Sequence, residues 1–174
     1  GFFSTSDDAE VLLMRNKEFY DGAIPSCNSV ALENLIRLAH LTGETKTEER
    51  AVELLNCFVA SVQQSPSAHA WYLCALDAII GPLQDGVISG ELDADDTRTL
   101  MRALHDHYFP HILIICRSPG TVSDQLNIIA PFTQNMCALG GKATAYICTG
   151  HTCTSPTNEP QRMLELLLGS NTAK

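Results

Sequence analysis

Residues 21–29 read DGAIPSCNS, and together with Glu18 they gather two carboxylates, two serine hydroxyls and an amide into a short stretch. Acid–base chemistry on sugars needs carboxylates of differing pKa held close together, with hydrogen-bonding side chains around them to orient a polyol. Glu18 and Asp21 are therefore candidate catalytic carboxylates, and Ser26, Asn28 and Ser29 are candidate substrate-binding residues. The same residue types also serve as punctuation. Asp21-Gly22 suits a tight turn and Pro25 fixes the entry of the chain. Ser26, Asn28 or Ser29 can each accept from the free N–H groups at a helix start. On the residues alone both readings stand.

The second constellation is Cys148 and Cys153 with His151 between them, C-x2-H-x-C. It makes the two cysteines redox candidates, although C-x4-C differs from the C-x-x-C of thioredoxin-like sites. Two thiolates and an imidazole lack a nearby fourth ligand for zinc, and the spacing matches no common zinc pattern. A reducing compartment opposes a permanent bond, and so small a loop gains little from cross-linking. The expectation is packing at a strand end, with two free thiols in the reduced protein and Cys153 the more reactive because it lies in the loop. His105, His107 and His111 form H-x-H-x3-H, but Pro110 breaks the helix between the last two. ELDADD at 91–96 lacks the alternating ligands and central glycine of a calcium loop and suits a helix start. No G-x-G-x-x-G or P-loop is present. Neither a metal nor a cofactor is expected.

These groups need elements to position them. Phe2-Phe3 and Val11 to Met14 flank an Asp-Asp turn, which predicts a β-hairpin. SVALENLIRLAHLTG predicts a helix over 29–41, stopped by Gly43. A second helix, over 46–64, opens with Thr45 and Glu48 in a capping box. A third, over 66–80, is capped by Ser65 and Pro66 and ended by Gly81. The grammar then changes. VISG near 87–90, HILIIC at 111–116 and ATAYIC at 143–148 alternate with helices opened by Asp93, around Leu126 to Ile129, and by Asn158-Pro160. Apolar strands alternating with helices predict a three-stranded parallel sheet with helical crossovers. The expected division is 1–82, a hairpin plus helical hairpins, and 83–174, a small α/β unit.

Composition bounds the function classes. The chain has 174 residues, 45% of them hydrophobic and 18% charged, with a net charge of −9. Such a chain is a folded globular protein, and its acidity argues against nucleic acid. Its apolar runs are shorter than the ~20 residues that span a bilayer. Most of the seven cysteines, including Cys57, Cys74, Cys116 and Cys137, lie in apolar contexts and read as reduced core residues of a cytoplasmic protein. A start at GFFSTSDDAE, without methionine or signal peptide, suggests an excised piece of something longer.

KEFYDGAIPSCNSVALENLIRLAHLTG, SPSAHAWYLCALDAIIGP and GKATAYICTGHTCTSPTNEP carry a resemblance that runs in order over nearly the whole chain. They resemble the C-terminal region of the spermatogenesis-associated protein 20 family, whose bacterial and archaeal members are called thioredoxin-domain-containing or YyaL-like proteins. Cys148 and Cys153 match the family's motif and His151 does not. Cys27 stands where the family usually has Gly or Ala. The resemblance implies a longer parent, with a thioredoxin-like domain ahead of an (α/α)6 toroid similar to N-acylglucosamine 2-epimerases and six-hairpin glycosidases. This mainly helical chain of mixed α and β would hold the last helical hairpins of that toroid and the α/β appendage. Loop 18–29 would line a sugar pocket of a carbohydrate-active hydrolase or epimerase, with the fragment inactive alone. The alternative is a non-catalytic structural or protein-interaction module. The expected partners are the remainder of the parent chain, a sugar ligand, and a second copy through an apolar flank left by the missing helices.

Overall fold

The computed structural model describes residues 1–10, 13–81, 83–150 and 152–169, without the side chains of 121–123. The chain divides into two compact units, residues 1–81 and 82–174.

The first unit begins with irregular chain. Among its described residues before Ser26 no strand forms; Val11 and Leu12 of the expected hairpin lie outside the described residues. The segment does double back, because Ser4 N–H donates to the Asn16 carbonyl at 2.8 Å. Three helices come next: α1 (Cys27–Thr42), α2 (Thr45–Gln64) and α3 (Ala70–Ile80), with a 3-10 turn at Pro66–Ala68 ahead of α3. Helix α1 starts where Ser26 Oγ accepts from Ser29 N–H and stops at Gly43, whose φ of 68° is the left-handed conformation a C-terminal glycine supplies. The expected capping box at Thr45 does not form. Glu44 holds the cap position without a side-chain bond to the helix N–H groups, and Thr45 is already helical. Helix α1 packs against both α2 and α3. Its Leu32 and Ile36, with Leu54, Phe58 and Val62 of α2 and Ala75 of α3, are buried.

The second unit holds β1 (Gln84–Ser89), α4 (Asp95–His105), β2 (Ile112–Arg117), α5 (Thr121–Ile129), β3 (Thr144–Thr149), β4 (Thr152–Cys153) and α6 (Pro160–Gly169). The sheet order is β2-β1-β3-β4. Strands β1 and β2 are parallel, as expected of a strand–helix–strand unit, with Gly86 opposite Ile114. The expected three-stranded parallel sheet is wrong, however. Strand β3 lies antiparallel to β1, with Gly86 opposite Ile147, and β4 is antiparallel to β3.

The correction has a local cause. Gly140 and Gly141 both have positive φ, 60° and 72°, and Lys142 N–H donates to Leu139 O across them at 3.1 Å. A Gly-Gly pair in this conformation makes the tight reversal of a hairpin. It turns the chain immediately before β3 and delivers that strand against the free edge of β1. Strand β1 is buried at all six positions, which suits a central strand whichever way its neighbours run. Helix α4 packs on β1 and α6, and α6 on β3. Ile88, Leu100, Leu104, Ile147, Met163 and Leu167 form the centre of this core.

Candidate functional site

The loop before α1 closes on the carboxylate of Asp21. Its Oδ1 accepts from Ser26 N–H at 2.8 Å, and its Oδ2 accepts from Tyr72 N–H at 3.0 Å and from the Ser29 hydroxyl at 3.1 Å. Ser26 Oγ in turn accepts from Ser29 N–H at 3.1 Å and donates to Ser29 Oγ at 2.9 Å. Asp21 N–H donates to Ala68 O at 2.9 Å, so backbone and side chain together tie the loop to the start of α3. One carboxylate thereby satisfies free N–H groups at the starts of both α1 and α3, where the partial positive charge of each helix also favours it. Burial pushes the Asp21 carboxyl up, but the donors from Ser26, Tyr72 and Ser29 outweigh it. The net result is a carboxyl held below the ordinary aspartate value.

Asn28 does a parallel job on the other side of the helix start. Its Nδ2 donates to Glu18 O at 2.6 Å and to Phe2 O at 3.0 Å, and its Oδ1 accepts from Phe2 N–H at 2.6 Å. The side chain is 1% exposed and clamps the N-terminal segment and the Glu18 backbone to α1. Phe19, next to Glu18, stacks on Phe58 with ring centroids 4.4 Å apart and on His69 at 5.5 Å. His69 Nδ1 lies 2.9 Å from Ser65 O, and the Tyr72 hydroxyl donates to Leu55 O at 2.8 Å.

The five residues singled out in the sequence are thus brought together, with a division among them. Asp21, Ser26, Asn28 and Ser29 are buried and bonded to backbone or to each other, whereas Glu18 is exposed and joins the network through its carbonyl. The sequence reading missed Tyr72 and Phe2, which complete the network from 51 and 26 residues away. No local signal marks either one.

In the second unit Cys148 and Cys153 sit opposite one another in the β3–β4 register and are joined by a disulfide, with Cα atoms 3.9 Å apart. The sequence predicts free thiols in the reduced protein; here the antiparallel return through Gly150, φ 54°, sets the two residues face to face across adjacent strands and their sulfurs are bonded. His151 lies outside the described residues. Cys148 is 2% exposed and Cys153 is on the surface. The expected core positions of the other cysteines are also revised, since Cys57, Cys74 and Cys137 are exposed and Cys116 half-buried. Burial pushes the Cys116 thiol up.

Asp96, in the first turn of α4, accepts from Ala143 N–H at 2.7 Å and from Thr97 N–H at 2.9 Å. The Ala143 bond, more than any other contact, holds its carboxyl below the ordinary value. Asn158 Nδ2 donates to Ala143 O at 2.6 Å and to Thr144 Oγ1 at 2.9 Å, so acid and amide fix the entry of β3 from two sides. His107 stacks on Phe109 at 5.9 Å, its Nδ1 3.0 Å from Ala103 O. Among the described residues no group of three or more His, Cys, Asp or Glu converges to hold a metal ion, and no helix is long and apolar enough to cross a membrane.

No family model matches the chain, and no solved structure matches it. Curated proteins do. The chain is 34% identical over 166 residues to human spermatogenesis-associated protein 20, a match that covers 95% of this chain and 21% of that protein. The rat and mouse proteins of the same name are 34% and 32% identical over the same shares. The chain is therefore related to these proteins and spans about a fifth of their length, 21%.

Proposed function

We propose that this chain is a non-catalytic structural and docking part of a larger protein related to spermatogenesis-associated protein 20. Loop 18–29 acts in it as a clasp between helix starts. The observation that carries this reading is the Asp21 carboxylate, whose oxygens accept from Ser26, Ser29 and Tyr72 while the side chain is 8% exposed. A general acid needs a raised pKa and a path to substrate, whereas Asp21 is held ionised and enclosed. Ser26, Ser29 and Asn28 already spend their hydrogen-bonding capacity on the protein itself. The residues thus favour capping over sugar binding, and the toroid pocket of a hydrolase or epimerase draws its support from resemblance alone.

Two variants in the full-length protein separate the readings. Asp21→Asn and Asn28→Ala should each lower stability by about 1–3 kcal/mol in denaturant melts, because each leaves buried backbone donors or acceptors without a partner. Titration with neutral and N-acylated monosaccharides should give the same response for wild type and variants. Weakened sugar binding with unchanged melts would retire the clasp and restore the pocket.

A further inference from the structure

The Cys148–Cys153 bond lies outside the clasp, in the second unit, and its surroundings bear on what chemistry can reach it. We propose that it is a thiol–disulfide exchange site selective for dithiols: an external dithiol opens the return between β3 and β4, whereas monothiols cannot hold it open.

Access favours one sulfur. Cys148 belongs to the buried part of β3, while Cys153 is exposed on β4, a two-residue strand at the sheet edge. An incoming thiolate therefore bonds to Cys153 Sγ. The Cys148–Cys153 bond breaks, its electron pair goes to Cys148 Sγ, and that sulfur takes up a proton. Cys148 is buried and stands opposite the buried Asp85 in the β1–β3 register, on the same face of the sheet.

The sheet also governs the fate of the mixed disulfide. Cys148 is held by the β1–β3 ladder. The chain beyond Cys153 is anchored too, since Thr154 N–H donates to Ile147 O at 2.8 Å and Ala145 and Thr157 exchange backbone bonds at 2.7 and 3.0 Å. With a monothiol on Cys153, Cys148 therefore stays beside the mixed disulfide at high effective concentration, attacks it, and expels the monothiol. A dithiol escapes this reversal. Its second thiolate attacks the sulfur bonded to Cys153, Cys153 leaves and is protonated, and the reagent departs as a cyclic disulfide while the protein gains two thiols. The same anchors at Thr154 and Thr157 confine the opening to the return itself, leaving the rest of the sheet paired.

The test uses the protein purified without reductant, exposed to dithiothreitol or to glutathione at equal total thiol, then trapped with iodoacetamide and mapped by peptide mass spectrometry. Dithiothreitol should render Cys148 and Cys153 alkylable together without denaturant. Glutathione should leave the wild type closed, with an adduct on Cys153 at least ~10-fold less abundant than in a Cys148→Ser variant loaded with glutathione disulfide, whose free Cys153 thiolate displaces one glutathione and keeps the other because it has no resolving partner. Hydrogen exchange should rise on reduction at the amides of Thr149, Gly150 and Thr152 and stay unchanged at Ala145. Alkylation of both cysteines in the untreated protein would overturn the proposal. So would a bond that resists dithiothreitol without denaturant, or equal glutathione adduct in wild type and variant.

Discussion

Replacing the charge of Asp21 has a consequence in pH as well as in stability. Its folded-state pKa lies below the ordinary aspartate value, so it contributes stability that is complete above the unfolded-state pKa and lost as pH falls through the folded one. The gap in melting midpoint between wild type and Asp21→Asn should therefore be widest at neutral pH and close steadily below about pH 4. A gap that stays constant down to pH 2 would mean the carboxylate gains nothing from its donors. The residue types at 21–29 announced a site that binds hydrogen-bond donors, and that much was legible. What they bind was not, because Tyr72 N–H and the Phe2 backbone arrive from distant chain. Hydroxyls and carboxylates that would hold a sugar are the same groups that cap a helix. Only their partners distinguish the two uses.

At the scale of elements, a close approach occurs where β1 hands over to α4. A Cβ on Gly90 would lie 2.5 Å from Thr97 Oγ1 and 3.2 Å from the Ala143 backbone Cα. Thr97 is buried on α4, and neither neighbour is the free end of a flexible side chain. Gly90→Ala should therefore cost about 1–3 kcal/mol through overpacking, read as a lower denaturant midpoint with an unchanged slope. A neutral result would show that helix and sheet can spread there at no cost. Helix existence was legible because α1, α2 and α3 carry apolar residues at helical spacing and end at Gly43, Ser65 and Gly81. Strand direction was not. HILIIC and ATAYIC are apolar enough to pair either way, and the deciding signal was the Gly140-Gly141 pair, a turn the strand pattern passed over. The cross-link at Cys148 shared that fate, since it depends on the antiparallel return and not on cysteine spacing.

For the molecule as a whole, the question is what covers the apolar residues the first unit leaves outside. Helix α3 buries Tyr72, Ala75 and Ala78 yet exposes Trp71, Ile79 and Ile80, the last at 67%. Leu38 of α1 and Val52 of α2 are exposed as well. Single exposed apolar side chains are ordinary, but a helix that is apolar on its solvent side as well as its core side is characteristic of an element buried on both. The related curated proteins are several times longer than this chain, which covers 21% of the human one. Under the docking role proposed above, that extra length would cover these residues. Hydroxyl-radical footprinting, read peptide by peptide, can follow Trp71 and Ile80 in both contexts. Oxidation at these two residues should be high in the 174-residue chain and several-fold lower in the longer protein, while exposed Tyr108 in the second unit serves as reference. Equal oxidation in the two proteins would leave these residues in water. The apolar residues of α3 would then need an external partner, because nothing within the longer chain would be covering them.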